Sequence, residues 1–193
     1  MSKPSLPKLK ELEQIEYPVL IWDDQDDSSS LILAESPSRS RVLLEHARRS
    51  IKDLFVYYSR HFGNKDLAEL AGLGDRFSYP LKAYEGEDFD LTKFEHELKA
   101  VLADYREDPA MGEELLSQLR DYRDYDLAAS LQEVVFDAII ARILRYAVEL
   151  KINSLIANGN LNENERFRSL LAHAATELGY DLRFLDEEQP EFA

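Results

Sequence analysis

The chain has 193 residues, of which 45% are hydrophobic and 32% charged, and this composition excludes a disordered chain and predicts one folded domain. Its net charge of −15 argues against broad binding to nucleic acid, because such binding needs lysine and arginine to neutralise phosphates. The chain has no cysteine, no long apolar run and no leader-like N-terminus. We therefore expect a cytoplasmic protein without disulfides or a membrane span.

The first part of the chain predicts a tail followed by extended structure. Residues 1–16, with two prolines among lysines and glutamates, predict a flexible N-terminal tail. Two apolar runs then flank an acidic loop: YPVLIW, DDQDDSSS and LILAE. These runs predict either a β-hairpin or an extended arm that lies on a helical bundle.

Helical periodicity predicts the next four elements. A helix from Ser38 or Ser40 to about His61 ends at Gly63, and Gly72 closes a short DLAELA helix. The segment TKFEHELKAVLADY repeats apolar residues at helical spacing. A further helix begins at Asp108, where an N-cap residue precedes proline, and runs through Leu119.

The longest predicted helix begins at Asp126 and ends at NGN, residues 158–160. Its apolar residues cover most of its circumference, which is typical of a central helix surrounded by others. Asn162 and Glu165 have the spacing of a capping box for a last helix that ends at Gly179. After this helix, three apolar residues are predicted to lie on the bundle: Leu182, Phe184 and Leu185. An acidic tail over 186–193 follows them.

Together these elements predict an all-α fold. The predicted domain, residues 17–185, is a single helical bundle of about five main helices around the long central helix over 127–157. The N-terminal runs form its short extended or hairpin element.

RSLLAH, residues 168–173, places an arginine and a histidine five positions apart. The spacing resembles the catalytic pair of HEPN-type ribonucleases, which are helical bundles. The resemblance implies Arg168 and His173 as catalytic residues. On one regular helix, however, the two side chains lie about 140° apart, flanking the apolar stripe on opposite sides. An ordinary surface helix is the alternative interpretation.

The acidic loop has oxygen-bearing side chains at the spacing of an EF-hand calcium loop. These residues are Asp24, Asp26, Ser28 and Glu35. Ser29 occupies the position where the sharp turn of such a loop requires glycine, and prolines at 18 and 37 interrupt the framing helices. The loop is therefore interpreted as solvated acidic chain, with cation binding as the alternative.

Basic residues concentrate in one segment of this acidic protein. Residues 36–65 carry seven basic and two acidic side chains, for a local charge of +5. On the predicted helix, five of them form a stripe beside the apolar face: Arg41, Arg48, Arg49, Lys52 and Arg60. This basic stripe is interpreted either as internally paired or as a site for phosphate, nucleic acid or an acidic partner.

No catalytic or cofactor motif is present: the chain lacks a P-loop, a G-x-S-x-G turn and the Glu-x-x-His pairs of di-iron bundles. No cofactor is predicted. The acidity favours a non-enzymatic interaction or regulatory module, either an inhibitor or immunity-like protein or a subunit of a larger assembly, whose partner is another protein of basic charge. The alternatives are a HEPN-like ribonuclease using Arg168 and His173, or a nucleic-acid-associated subunit that binds through the basic stripe.

Overall fold

The structure, a computed structural model, describes residues 15–25, 28–46, 55–56, 58–63, 65–78, 100 and 113–185. The strands within these ranges are β1 (Val19–Asp24), β2 (Ser29–Ser36), β3 (Arg39–His46), β4 (Ser154–Gly159) and β5 (Asp181–Leu185). The α-helices are α1 (Leu67–Ala71), α2 (Glu113–Leu150) and α3 (Glu165–Leu178), and two short 3-10 helices span Arg60–Phe62 and Asn160–Glu163.

The five strands form one mixed sheet in the order β3-β2-β1-β4-β5. β1, β2 and β3 are antiparallel neighbours, whereas β4 runs parallel to β1 and β5 runs parallel to β4. The chain therefore builds outward from β1 on one side, and then returns to build β4 and β5 on its other side.

The central strand β1 is buried on both faces, which explains its uninterrupted apolar sequence VLIW. Val19 and Ile21 join a core cluster on one face with Ile32, Ile156 and Leu185. Leu20 and Trp22 alternate with them and point to the opposite face, where both are buried as well.

The chain divides into two compact units. The first comprises residues up to Leu54 and from Ile140 onward, and contains the whole sheet and α3. The second, Phe55–Ile139, contains α1 and the greater part of α2, and its buried aromatic residues include Tyr58 and Phe136. None of the helices among the described residues is both long enough and apolar enough to cross a membrane.

Two helices end in the same hydrogen-bonded turn before the chain enters the sheet. At the end of α2, the Ile152 amide donates to the Ala147 carbonyl at 2.9 Å and the Lys151 amide to Val148 at 3.2 Å. At the end of α3, the amides of Tyr180 and Gly179 repeat this Schellman pattern. Gly179 adopts the required positive φ easily, whereas in α2 the position falls to Lys151, with φ 55°.

The predicted all-α bundle is therefore wrong: strands occupy three segments that the sequence assigns to helices or to a segment lying on the bundle. Residues 39–46 form β3 rather than the start of a helix. Within the predicted helix up to His61, the described α-helical residues are 55–56 and 58–59, and a 3-10 helix begins at Arg60. The predicted central helix over 127–157 ends at Leu150, and its last residues form β4. Leu182, Phe184 and Leu185 belong to β5 rather than to a segment lying on a bundle.

The predicted helix boundaries were partly right. α1 closes at Gly72 and α3 ends at Gly179, as predicted, and the structure adds Asp66 as the N-cap of α1. The N-terminal runs do form a hairpin, β1 and β2, although it lies inside the main sheet. Asp126 lies within α2 and does not begin a helix, and the N-cap of α3 is Asn164 rather than Asn162. The predicted starts near Asp108 and Thr92 lie outside the described residues.

Candidate functional site

The carboxyl edge of the sheet, where β1 and β4 end side by side, is the candidate site. We define it by Asp23, Asp24, Asn158 and Gly159, the last two residues of each strand. The order of strand addition reverses between β1 and β4. In open α/β sheets, ligands bind outside the carboxyl ends of the strands at such a switch point.

Asp23 lies on the rim of this edge and is held by two side-chain amides. Its Oδ1 accepts hydrogen bonds from Gln25 Nε2 at 2.7 Å and from Asn158 Nδ2 at 2.8 Å. Because Asn158 is directly paired with Asp23 across the strands, the two side chains share one face of the sheet. The amides fix the carboxylate, which can accept hydrogen bonds from an N–H or O–H of a ligand.

Asp24, one residue further along β1, points to the opposite face and is fully buried. Ser29 Oγ donates to its Oδ1, which joins the end of β1 to the start of β2. The Gln25 amide donates to the Ser28 carbonyl at 2.9 Å and closes the connection between these strands. Two adjacent aspartates therefore have different surroundings, one on the rim and one in the interior.

Gly159 brings the ends of β1 and β4 unusually close. It has φ 98° and ψ −163°, a backbone conformation that is essentially restricted to glycine. A Cβ atom there would lie 1.9 Å from the Asp24 carbonyl oxygen. Glycine is therefore needed at this position both for its conformation and for the close approach of β1.

The chain beyond β4 is tied back to the sheet by Asn162. Its Nδ2 donates to the Ala157 carbonyl at 2.9 Å and to the Leu185 carbonyl at 2.7 Å, joining the ends of β4 and β5. Asn164 then begins α3 by accepting a hydrogen bond from the Phe167 amide at 3.1 Å. These side chains fix the loop that borders the carboxyl edge.

The structure does not bring the proposed ribonuclease pair together. Arg168 is half-buried on α3, where its guanidinium lies 4.5 Å from the Phe184 ring centroid and Nη1 donates to the Asn162 carbonyl at 3.4 Å. His173 is exposed on the same helix, more than one turn further along. The contacts of Arg168 position the chain around Asn162, and a catalytic role for this pair stays an untested prediction.

Two of the four residues of the calcium-loop alternative, Asp24 and Glu35, lie far apart. Asp24 lies beside the start of β2, whereas Glu35 lies near its other end, about 20 Å away at the usual rise per strand residue. Glu35 is paired with Arg39, with 2.6 Å between the oxygen and Nε. Ser28 lies in the turn, and Asp26 lies outside the described residues. Within the described ranges, no three His, Cys, Asp or Glu side chains form a group suited to a metal ion.

The basic stripe is not on one helix. Arg41 is exposed on the edge strand β3, and Arg60 is exposed in a 3-10 helix of the other unit. Arg48, Arg49 and Lys52 lie outside the described residues. The helical wheel that grouped the five residues therefore does not apply, and their use as a binding site stays untested.

Sequence reasoning missed the carboxyl edge because it read NGN, residues 158–160, as the stop of a helix. A short apolar run that ends in Asn-Gly also has the form of a strand followed by a tight turn. That signal would have paired Asn158 and Gly159 with the acidic end of β1. The hydrogen bonds of Asp23 were not visible in the sequence.

The fold is that of an α/β protein with a mixed sheet, and polar side chains lie at its strand switch point. No protein-family model matches the chain. It is similar to the tRNA N6-adenosine threonylcarbamoyltransferases of Lactobacillus johnsonii, at 25% identity, and Latilactobacillus sakei, at 24%, each over 177 residues, or 89% of this chain and 49% of the relative. The corresponding enzyme of Thermotoga neapolitana is 35% identical over 69 residues, which are 36% of this chain and 21% of the relative. The chain thus spans about half the length of the two lactobacillar relatives.

These similarities overturn the function predicted from charge. The similar proteins are enzymes named for tRNA modification, so the prediction of a non-enzymatic acidic interaction or regulatory module is wrong. Neither alternative, the HEPN-like ribonuclease or the subunit binding through the basic stripe, gains support from the fold or the similarities. A basic protein partner likewise has no support among them.

Proposed function

We propose that this chain acts in the transfer of a threonylcarbamoyl group to N6 of adenosine in tRNA, with the carboxyl edge as its ligand site. The observation that carries the proposal is the similarity over 89% of the chain to transferases named for this reaction. The location of a fixed carboxylate at the strand switch point supports the same site.

The chemistry of this transfer suits the groups on the rim. The adenosine N6 amine forms a C–N bond to the carbonyl carbon of an activated threonylcarbamoyl donor, whose bond to its leaving group breaks, and N6 loses a proton. We assign Asp23 to orient an N–H or O–H of donor or acceptor, because Gln25 and Asn158 hold its carboxylate in place. Held groups of this kind lower the cost of reaching a reactive geometry.

The charge of the chain limits how it meets tRNA. A net charge of −15 opposes wide contact with the phosphate backbone, so we expect tRNA contacts from this chain to be few and local. Because the chain spans about half the length of the relatives, we propose that transfer also requires a polypeptide or segment corresponding to their remaining half. The proposal places the chain in the cytoplasm, together with the tRNA.

The proposal is tested by deleting the gene and measuring N6-threonylcarbamoyladenosine in hydrolysed tRNA by mass spectrometry. We expect the modified nucleoside to fall strongly and to return when the wild-type gene is restored. Asp23→Asn should restore it poorly, because it replaces one acceptor oxygen of the fixed carboxylate by an amide donor and removes the charge.

The matched control is Asp181→Asn, which makes the same change at an exposed residue. Asp181 is the first residue of β5 and therefore lies at the amino ends of the parallel strands, away from the carboxyl edge. It should restore the nucleoside as the wild type does. An unchanged nucleoside level after deletion would refute the proposed function. Equal behaviour of the two variants, at equal protein levels, would instead refute the assignment of Asp23.

A further inference from the structure

The loop Gly72–Ser78, between α1 and the segment that follows it, is held firmly against α2 within the second unit. Asp126 on α2 accepts hydrogen bonds from the Asp75 amide at 2.7 Å and from Ser78 Oγ at 2.9 Å. The Asp75 carboxylate in turn accepts from the Phe77 amide at 2.9 Å. A Cβ atom at Gly74 would lie 2.0 Å from the Tyr125 carbonyl oxygen, so the loop backbone packs directly on the helix.

This fixed loop presents an aromatic ring to solvent. Phe77 is 77% exposed although large aromatic rings are normally buried, and the Arg76 guanidinium lies 5.5 Å from its ring centroid. Tyr122, one helical turn before Asp126, is 66% exposed and contacts Tyr125 edge-on. An exposed ring on a rigid loop, beside an exposed arginine, has the composition of a stacking surface for nucleobases.

We propose that Phe77 stacks on an unpaired base of tRNA, with Arg76 contacting the adjoining phosphate and Tyr122 available to a neighbouring base. This inference rests on the proposed function, which makes tRNA the RNA concerned. Transfer to N6 requires an adenosine whose base edge is accessible, and bases in that state stack readily on aromatic side chains. Stacking uses the π-face of a base and therefore needs few positive charges.

The acidity of the chain leaves room for such a contact, because the carboxylates on either side of Tyr122 have partners within the chain: Asp121 is paired with Lys65, and Asp124 with Arg123. Asp75 and Asp126 accept hydrogen bonds from loop N–H and O–H groups. The guanidinium of Arg76 remains at the exposed side of the loop, over the ring. We therefore expect weak binding with a shallow salt dependence, unlike that of a protein covered with phosphate contacts.

The test measures binding of the full chain to a fluorescent single-stranded oligoadenylate and to unfractionated tRNA, by anisotropy at several salt concentrations. Phe77→Ala should weaken binding about tenfold, as expected for the loss of one stacked base. Phe77→Tyr should bind as the wild type, whereas Phe77→Leu, which keeps an apolar side chain without a π-face, should bind like the alanine variant. Arg76→Gln should reduce the salt dependence by about one phosphate contact.

Leu73→Ala is the matched control, because Leu73 is 67% exposed on the same loop and carries no ring. It should leave binding unchanged. The proposal is overturned if the wild-type chain binds neither the oligoadenylate nor the tRNA. It is also overturned if Phe77→Leu binds RNA as well as Phe77→Tyr does. The latter result would show that RNA binding does not use the π-face of Phe77. The binding assay needs no transfer activity, so a deletion strain with normal modified nucleoside would refute the proposed function without changing the binding result.

Discussion

Replacing Gly159 by alanine tests how strongly the stability of the sheet depends on the close approach of β1 and β4. Its backbone conformation, φ 98° and ψ −163°, costs a residue with a Cβ about 1–3 kcal/mol. The new methyl group would also lie 1.9 Å from the Asp24 carbonyl oxygen, and relieving this contact requires the strands to separate. Overpacking of this kind costs about 1–3 kcal/mol. We therefore expect Gly159→Ala to lower the free energy of unfolding by about 2–6 kcal/mol.

Trp22 provides a local measurement of this change. It is the single tryptophan of the chain, it is buried, and it is paired with Ala157 in the same two strands. Urea unfolding followed by its fluorescence should give a lower midpoint for Gly159→Ala, with a similar dependence on urea concentration.

Gly179→Ala separates the two contributions. Gly179 also has a positive φ, 75°, but a Cβ atom there would meet nothing within 4 Å. Its replacement should therefore cost only the conformational strain, about 1–2 kcal/mol. If the two variants were equally stable, the close contact with Asp24 would contribute nothing and the reasoning would be refuted.

Three further predictions concern other described residues. Asn164→Ala should lower the free energy of unfolding, measured with urea, by about 1 kcal/mol because it removes the N-cap of α3. Asn164→Asp keeps a capping oxygen and should retain most of the wild-type stability. Gly74→Ala should destabilise the second unit by about 1–3 kcal/mol and weaken RNA binding, whereas Gly72→Ala, where the nearest atom lies at 3.4 Å, should do neither. Phe136→Ala should cost about 3–5 kcal/mol in unfolding followed by circular dichroism, because Phe136 is fully buried and contacts Phe55 edge-on; a loss below 1 kcal/mol would contradict this packing.

The parts of the fold that the sequence predicts correctly are those with local chemical signals. Gly72 closes α1 and Gly179 ends α3, as predicted, because caps depend on one or two residues and their own backbone. The end of α2 carries no such signal: Lys151 adopts the positive φ that glycine usually supplies. Because the sequence has no helix-terminating residue here, the apolar run after Leu150 predicts a continuing helix instead of β4.

The strands were harder to recognise because their pattern depends on the sheet around them. β4 and β1 are buried on both faces, so their apolar runs show no alternation and resemble a piece of buried helix. β3 contains Leu44 and Arg41 at spacings that also fit a helix, and its pairing with β2 is what makes it a strand. Because β3, β4 and β5 are not predicted as strands, the sequence predicts an all-α fold instead of an α/β fold.

The candidate site shows the same limitation at the level of two neighbouring residues. Asp23 and Asp24 look alike in the sequence, and the alternative interpretation of the acidic loop as a calcium site uses Asp24. In a strand, however, neighbours point to opposite faces, so Asp24 enters the interior and binds Ser29, whereas Asp23 reaches the rim and meets Asn158, which lies 135 residues further along the chain. Pairing of β1 with β4 thus decides which carboxylate supports the sheet and which can meet a ligand. The candidate site lies where the strand order reverses between β1 and β4, and its geometry depends on Gly159, which allows these two ends to meet.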